Sequence, residues 1–281
     1  MTNAMPRCGR IAYTNDLPVY AAIDEDAVVF PGQMTAGVPA DLNAALLRGD
    51  LDISPISSAF YATHADKFVL VPGVCIGAAG AVHSIVCVSD VKLEDLAHRE
   101  IATTRESATG RMLFRLICRR LGFDPVLVVS DDPFARYQAD GSPCLLIGDK
   151  AIDATQQAPP ASVHDLGQRW FELTGNGMVY AVWAARRDYA IAVPDNVRAV
   201  SASLRMALRW GLENMATVIA RAQSARYRPT GFYEMYYRAL RFELDGEART
   251  ALSRFFETAY ANDMIPAVPR LQFFEEVPLH V

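Results

Sequence analysis

The sequence predicts a two-lobed α/β fold with two crossings between the lobes and a helical carboxy-terminal part. Three observations carry this. Short β-like runs alternate with helical ones through the first half of the chain, the order that gives a largely parallel sheet. Over residues 194–263 the pattern turns almost wholly helical, interrupted at Pro229 and Gly246. The length, 281 residues, fits about two units of roughly 150 residues each.

In chain order, Arg10–Tyr13 and Ala27–Phe30 read as strands, bounded by the turn signals Asn15-Asp16 and Pro31-Gly32. Pro39 to Arg48 predicts a helix, with Leu42, Ala45 and Leu46 on one face, proline at its first turn and Gly49 just past its end. Leu51–Ile56 returns to strand. A second unit begins near residue 88: strand Ile101–Thr104, a helix opened by Ser107-Ala108-Thr109-Gly110 and ended by Gly122, then strands Pro125–Val129 and Cys144–Ile147. Met178–Ala185 is a further apolar strand. The expected division is residues 1–87 with 186–281 as one lobe and 88–185 as the other, with crossings near 86–90 and 180–186 and a ligand cleft between them.

Composition narrows the function classes. Half the residues are hydrophobic (51%), ample for a core. The formal charge is 27 − 32 = −5, without a Lys/Arg run, which argues against nucleic-acid and anionic-membrane partners. Five scattered cysteines form no Cys-x-x-Cys pair, so reduced, buried thiols are expected, and five dispersed histidines give no metal-ligand spacing. No apolar stretch approaches the ~18 residues of a spanning helix, and no export signal opens the chain, so a soluble cytoplasmic protein is expected. P-loop, dinucleotide-glycine and nucleophile-elbow motifs are absent.

The candidate polar positions sit at expected strand ends. Ser107 and Thr109 open a helix, where hydroxyls and free N–H groups can meet an anion or Ser107 can simply cap. Asn15-Asp16 follows the first strand, a place for ligand or for an ordinary turn. Ser57-Ser58 ends the third strand, and His83-Ser84 precedes Ile85–Val88. Gly148-Asp149 ends a buried-type strand, where Asp149 can contact ligand, orient a neighbour or cap. His164-Asp165 reads as structural, because adjacent side chains point apart. Trp170 and Trp183 read as core or cleft wall. These patterns give a hydroxyl-lined cleft but no reaction.

Taken together, RIAYTNDLPVY (10–20), GVPADLNAALLRGDLDISPISS (37–58), HSIVCVS (83–89), ESATGRMLFRL (106–116), LLIGDKAI (145–152), HDLGQRWFELTG (164–175) and MVYAVWAAR (178–186) resemble the chorismate dehydratase family of the futalosine route to menaquinone. The resemblance is close over residues 10–190 and looser over the helical remainder. One departure is Asn176-Gly177-Met178, where the family more often has a proline-containing turn. The resemblance implies a type II periplasmic-binding-protein fold used by a cytoplasmic enzyme. It further implies removal of water from chorismate to give 3-[(1-carboxyvinyl)oxy]benzoate without metal or organic cofactor. By position, Asn15 and Ser84 match the family's polar residues closest to the chemistry. Ser57, Ser58, Ser107, Thr109, Gly148 and Asp149 match those around the substrate.

That chemistry suits the inventory. Chorismate is a dianion, and losing its C4 hydroxyl and C3 proton aromatises the ring, so the protein need supply only orientation and charge compensation. The nearest alternative is the sister enzyme that makes 1,4-dihydroxy-6-naphthoate. There the corresponding strand ends Ile-His-Glu, with the histidine as base, whereas this chain has Ile147-Gly148-Asp149. A solute-binding protein for an anionic aromatic compound would share the cleft but should be exported. The sensor half of a transcription regulator would need a helix-turn-helix domain, which the sequence lacks. Oligomeric state is not legible.

Overall fold

The computed structural model describes residues 5–106 and 108–274. From the amino terminus, β1 (Arg7–Ile11) leads through a 3-10 turn at Thr14–Asp16 into α1 (Leu17–Asp24), β2 (Gln33–Gly37) into α2 (Pro39–Arg48), and β3 (Ile53–Ser57) into α3 (Ser58–His64), followed by β4 (Phe68–Ala78). Next come β5 (Ile85–Val88), β6 (Glu100–Thr103), α4 (Ala108–Arg120), β7 (Val126–Val129) and α5 (Pro133–Asp140). They are followed by β8 (Cys144–Ile147), α6 (Gly148–Gln157), β9 (Val163–Asp165) and α7 (Leu166–Thr174). β10 (Met178–Arg186), α8 (Arg187–Ala192), α9 (Pro194–Glu213), α10 (Met215–Ala225), α11 (Phe232–Ala239), β11 (Leu240–Arg241) and α12 (Gly246–Ala261) complete the chain.

The strands form two sheets, one per lobe. The first runs β11-β4-β10-β3-β1-β2 and the second β7-β6-β8-β5-β9. Pairing is parallel where a helix returns the chain (β1 with β2 and β3, β6 with β7 and β8) and antiparallel around β10 and β5. The carboxyl ends of β1, β3, β6 and β8 all lead into helices, which is what sets up the site. The helix expected over residues 39–48 forms with those bounds, and Gly49, at φ +85°, adopts the left-handed cap that a side chain would resist.

Three sequence expectations need correction. Ala27–Phe30 is not a strand: the N–H groups of Ala27 and Val28 close the end of α1 on the Ala22 carbonyl, and Val29 is 87% exposed. The strand is the polar edge segment Gln33–Gly37, whose exposed face carries no hydrophobic alternation. The crossings also shift. β5 belongs wholly to the second sheet and β10 wholly to the first, so the lobes are joined by residues 79–84 and 175–177, not near 86–90 and 180–186. The expected boundaries of residues 1–87, 88–185 and 186–281 move accordingly. A strand buried on both faces carries no pattern that says which sheet it joins.

β4 is also absent from the sequence pattern. Its Pro72-Gly73 interrupts it, and the pairing with β10 skips from Leu70–Ala184 to Cys75–Val182, so four residues bulge out where a turn would be expected. β10 is the spine of the first lobe, buried from Met178 to Ala185 between β3 and β4. Trp183 lies in the core and donates to the Tyr20 hydroxyl at 2.9 Å, and Trp170 is likewise core. The carboxy-terminal helices close this lobe: α9 packs on α1 and β4, and α12 packs on β10.

All five cysteines are unpaired and buried, and burial pushes the thiols of Cys8, Cys118 and Cys144 up to about 12. The folded protein at pH 8 should therefore leave an aromatic disulfide reagent unreacted until denaturant is added; rapid release of the reagent's thiolate from native protein would contradict this burial.

Gly211 of α9 crosses α1 so closely that a Cβ would lie 2.0 Å from the Pro18 carbonyl oxygen. Alanine gains about 1 kcal/mol of helix propensity, but overpacking against backbone costs typically 1–3 kcal/mol and sometimes more. At 2.0 Å the clash should dominate. Gly211→Ala is thus expected to lower the unfolding free energy, read from urea unfolding, by a net amount on the order of 1–2 kcal/mol.

Candidate active site

A cleft of about 610 Å³ opens between the lobes, at the carboxyl ends of the strands. Its apolar wall is built from Ile11, Ile56, Ile76, Val82, Ile85 and Ile147, with the rings of Tyr13 and Tyr180. Its polar lining comes from helix starts. Pro39 opens α2, Ser57 caps α3, Ala108, Thr109 and Gly110 form the first turn of α4, Gly148 opens α6, and Asn15 sits in the turn before α1. A helix start carries a partial positive charge even where some of its N–H groups are paired, so the convergence of several starts suits an anion without a cationic side chain. Among the described residues, Glu106 is the one ionisable acid on the wall and no lysine or arginine lines it.

Of the sequence candidates, Asn15, Ser84, Ser57, Thr109 and Gly148 all line this one cleft. The Asn15 Oδ1 is buried and has no hydrogen-bond partner among the described residues. Ser84 is buried, its hydroxyl donating to the Val82 carbonyl at 3.3 Å and its carbonyl accepting from Gly148 N–H at 2.8 Å. The Ser57 hydroxyl accepts from Phe60 N–H at 3.3 Å and from Asn43 Nδ2 at 3.2 Å, which leaves its proton free to donate into the cleft. Thr109 Oγ1 accepts from Ala59 N–H at 3.1 Å and so ties the start of α4 to the start of α3. Gly148 has φ +63°, and a Cβ there would lie 2.8 Å from the Tyr13 ring, so glycine is needed for both backbone and packing.

Two candidates point elsewhere, and one lies outside the described residues. Ser58 is wholly buried and donates to the Val179 carbonyl at 2.7 Å, pinning α3 on β10; it is absent from the cleft lining. Asp149 accepts from Thr14 Oγ1 at 2.6 Å and Thr14 N–H at 3.2 Å, a buried bond between the lobes, so its side chain orients a neighbour instead of lining the cleft. Ser107 lies outside the described residues.

The structure adds three wall residues that spacing did not suggest. Tyr13 donates to Glu106 Oε2 at 3.1 Å across the cleft. The Tyr180 hydroxyl is buried with no partner among the described residues, and burial pushes its ionisation far up, so it stays a neutral O–H able to donate or accept. Aromatic and acidic residues at strand ends are common, and only the convergence of distant strand ends distinguishes these. Among the described residues, no three His, Cys, Asp or Glu side chains gather as a metal ligand set, and no helix is long and apolar enough to cross a membrane.

Asp16 lies beneath the site, 1% exposed, with Oδ2 unpartnered. Burial raises its carboxyl well above the usual range, and nearby Asp24 and Asp149 add to this against the pull of Arg10. The folded state therefore holds the Asp16 proton more tightly than the unfolded chain, so stability is lost as pH rises from about 4, the unfolded value, through the raised folded value. Asp16→Asn should match wild type near pH 4 and become progressively more stable than wild type toward pH 8, read from urea unfolding at a series of pH values. A constant difference across that range would exclude a buried neutral Asp16.

The family model described as menaquinone biosynthesis matches residues 6–261. A chorismate dehydratase from Thermus thermophilus is 33% identical over 237 residues, 78% of this chain and 84% of its own. Among solved structures, a protein from Archaeoglobus fulgidus superposes with TM-score 0.74 at 20% identity, over 94% of this chain and all of its own. The alkanesulfonate-binding protein SsuA from Xanthomonas axonopodis pv. citri, bound to MOPS, gives TM-score 0.67 at 16% identity over 96% of each chain. At these identities the two structures speak for the fold alone, that of periplasmic binding proteins. With the family match spanning residues 6–261 and both sheets disposed about one cleft, the chain belongs to the menaquinone biosynthesis family.

Proposed function

We propose that this chain is a hydro-lyase that dehydrates chorismate to 3-[(1-carboxyvinyl)oxy]benzoate, the entry step of the futalosine route to menaquinone, in the cytoplasm and without a cofactor. The observation that carries the reading is the meeting of helix starts and neutral donors around an apolar slot, in a chain 33% identical to a chorismate dehydratase. A doubly charged cyclohexadiene asks for such a site: flat apolar walls for the ring, and partial positive charge without bulky cations for the carboxylates.

In this reading the starts of α4 and α6, with Ser57 and Thr109, hold the two carboxylates. The C3–H and C4–O bonds break, a C3=C4 double bond completes the aromatic ring, and the proton and hydroxide leave together as water. The substrate's own enolpyruvyl carboxylate takes the C3 proton and returns it to the departing hydroxide. Asn15 and Ser84 position the ring and the C4 hydroxyl. Fixed donors of this kind supply electrostatic stabilisation, and the gain of aromaticity supplies the driving force. Ile147-Gly148-Asp149 offers no imidazole, which favours this reaction over the naphthoate-forming sister chemistry.

Incubating the purified protein with chorismate should yield an aromatic product lighter by one water, followed by absorbance and mass. Asn15→Ala and Ser84→Ala should each lower kcat by about 10²–10³-fold, the range for removing one positioned donor, while leaving the unfolding midpoint near wild type. Saturable chorismate binding with no conversion would favour a non-catalytic binder, in keeping with the sulfonate-binding neighbour in the same fold.

A further inference from the structure

The crossing that carries Ser84 is held by an acid far along the chain. Asp165, at the end of β9, caps α7 by accepting from Gln168 N–H at 3.0 Å. Its carboxylate also accepts from Val82 N–H at 3.1 Å to each oxygen and from His83 N–H at 2.6 Å. A helix cap needs the bond to Gln168 alone. The two additional donors belong to the crossing over residues 79–84, immediately before Ser84. His83 there has φ +58°, the left-handed region that is disfavoured for an L side chain, although histidine enters it more readily than most. α7 and the crossing also meet backbone to backbone, since a Cβ on Gly167 would lie 2.5 Å from the Gly80 carbonyl oxygen.

We propose that Asp165 is a positioning residue for Ser84: its carboxylate holds the Val82-His83 backbone in a conformation that His83 would otherwise leave, and so aims the Ser84 hydroxyl into the cleft. The logic is one of competing preferences. His83 prefers negative φ, which would rotate the peptide before Ser84. Charge-assisted bonds from two consecutive N–H groups oppose that rotation. On the far side, Gly148 N–H fixes the Ser84 carbonyl at 2.8 Å, so Ser84 is gripped from both ends. The role in turnover rests on the reading of Ser84 given under Proposed function; the grip on the backbone does not.

The test compares wild type, Asp165→Asn, and Asp165→Asn combined with His83→Gly. Asparagine still caps α7, but its amide cannot accept from His83 while its oxygen serves Gln168. With chorismate, Asp165→Asn should lower kcat about 10²-fold, the effect of misplacing a reacting group by about an ångström, with KM changed by less than about threefold. Amide exchange at Val82 and His83 should quicken at least about tenfold in the same variant. Adding His83→Gly, which removes the penalty for positive φ, should recover kcat about tenfold. A cap lost for structural reasons alone would not be rescued by glycine at residue 83.

Unchanged kcat in Asp165→Asn, lost kcat without faster exchange at residues 82–83, or no recovery with His83→Gly would each overturn the proposal. Should Asp165→Asn fail to fold, Asp165→Ser, which offers one acceptor oxygen and no opposing amide, takes its place with the same readouts; failure of both to fold would overturn the proposal in favour of a purely structural acid. If wild type itself does not convert chorismate, the functional reading falls, and the exchange comparison alone then decides whether Asp165 holds the crossing.

Discussion

The buried bond between Thr14 and Asp149 is the constraint on which the site depends. Thr14 follows β1 in one lobe and Asp149 opens α6 in the other, and their 2.6 Å hydroxyl–carboxylate contact is sealed from solvent. Tyr237 adds a bond to the Thr14 carbonyl at 2.8 Å, and Arg228 pairs with Asp153 on α6, so the carboxy-terminal helices brace the same junction. Charge-assisted bonds in a dry interface are stronger than their exposed counterparts. Because the junction is fixed, the strand ends of two sheets face one another across a narrow slot, and residues separated by more than a hundred positions become neighbours.

The slot has an electrostatic character that follows from backbone more than side chains. Helix starts contribute partial positive charge to it, and among the described residues its one acidic wall residue, Glu106, is engaged by Tyr13. Partial charges fixed in the backbone need no reorganisation when a ligand arrives, and they leave room for a flat ring between isoleucine side chains. Fold alone does not assign a reaction, and the dehydratase reading draws instead on sequence identity and on the particular donors at Asn15, Ser57, Ser84 and Thr109.

Positive φ marks the mechanical points of this arrangement. Gly148 needs it to admit the Tyr13 ring, Gly49 to end α2, and His83 adopts it despite its side chain. The first two are glycines, where the conformation is cheap. His83 differs, and it is the one whose N–H is met by a half-buried acid from another element. Strain concentrated beside a candidate reacting group is a recurring property of sites whose geometry is imposed from outside the local segment.

The sequence by itself determined the class of fold and most element positions: the capped helix at Pro39–Arg48, the strand at Cys144–Ile147, and the helix opened near Thr109 all carry local signals of periodicity, proline and glycine. It also offered Asn15, Ser57, Ser84, Thr109 and Gly148 as polar or glycine positions at strand and helix ends, and the family resemblance set them about the substrate. Tertiary structure decided what local chemistry leaves degenerate. Whether β10 joined one sheet or the other, whether Ser58 faced the cleft or the Val179 carbonyl, and whether Asp149 met ligand or Thr14 depend on which elements pack behind each residue. A serine or aspartate at a helix start has the same local signature in every one of those roles, and only the partner brought by long-range packing separates them.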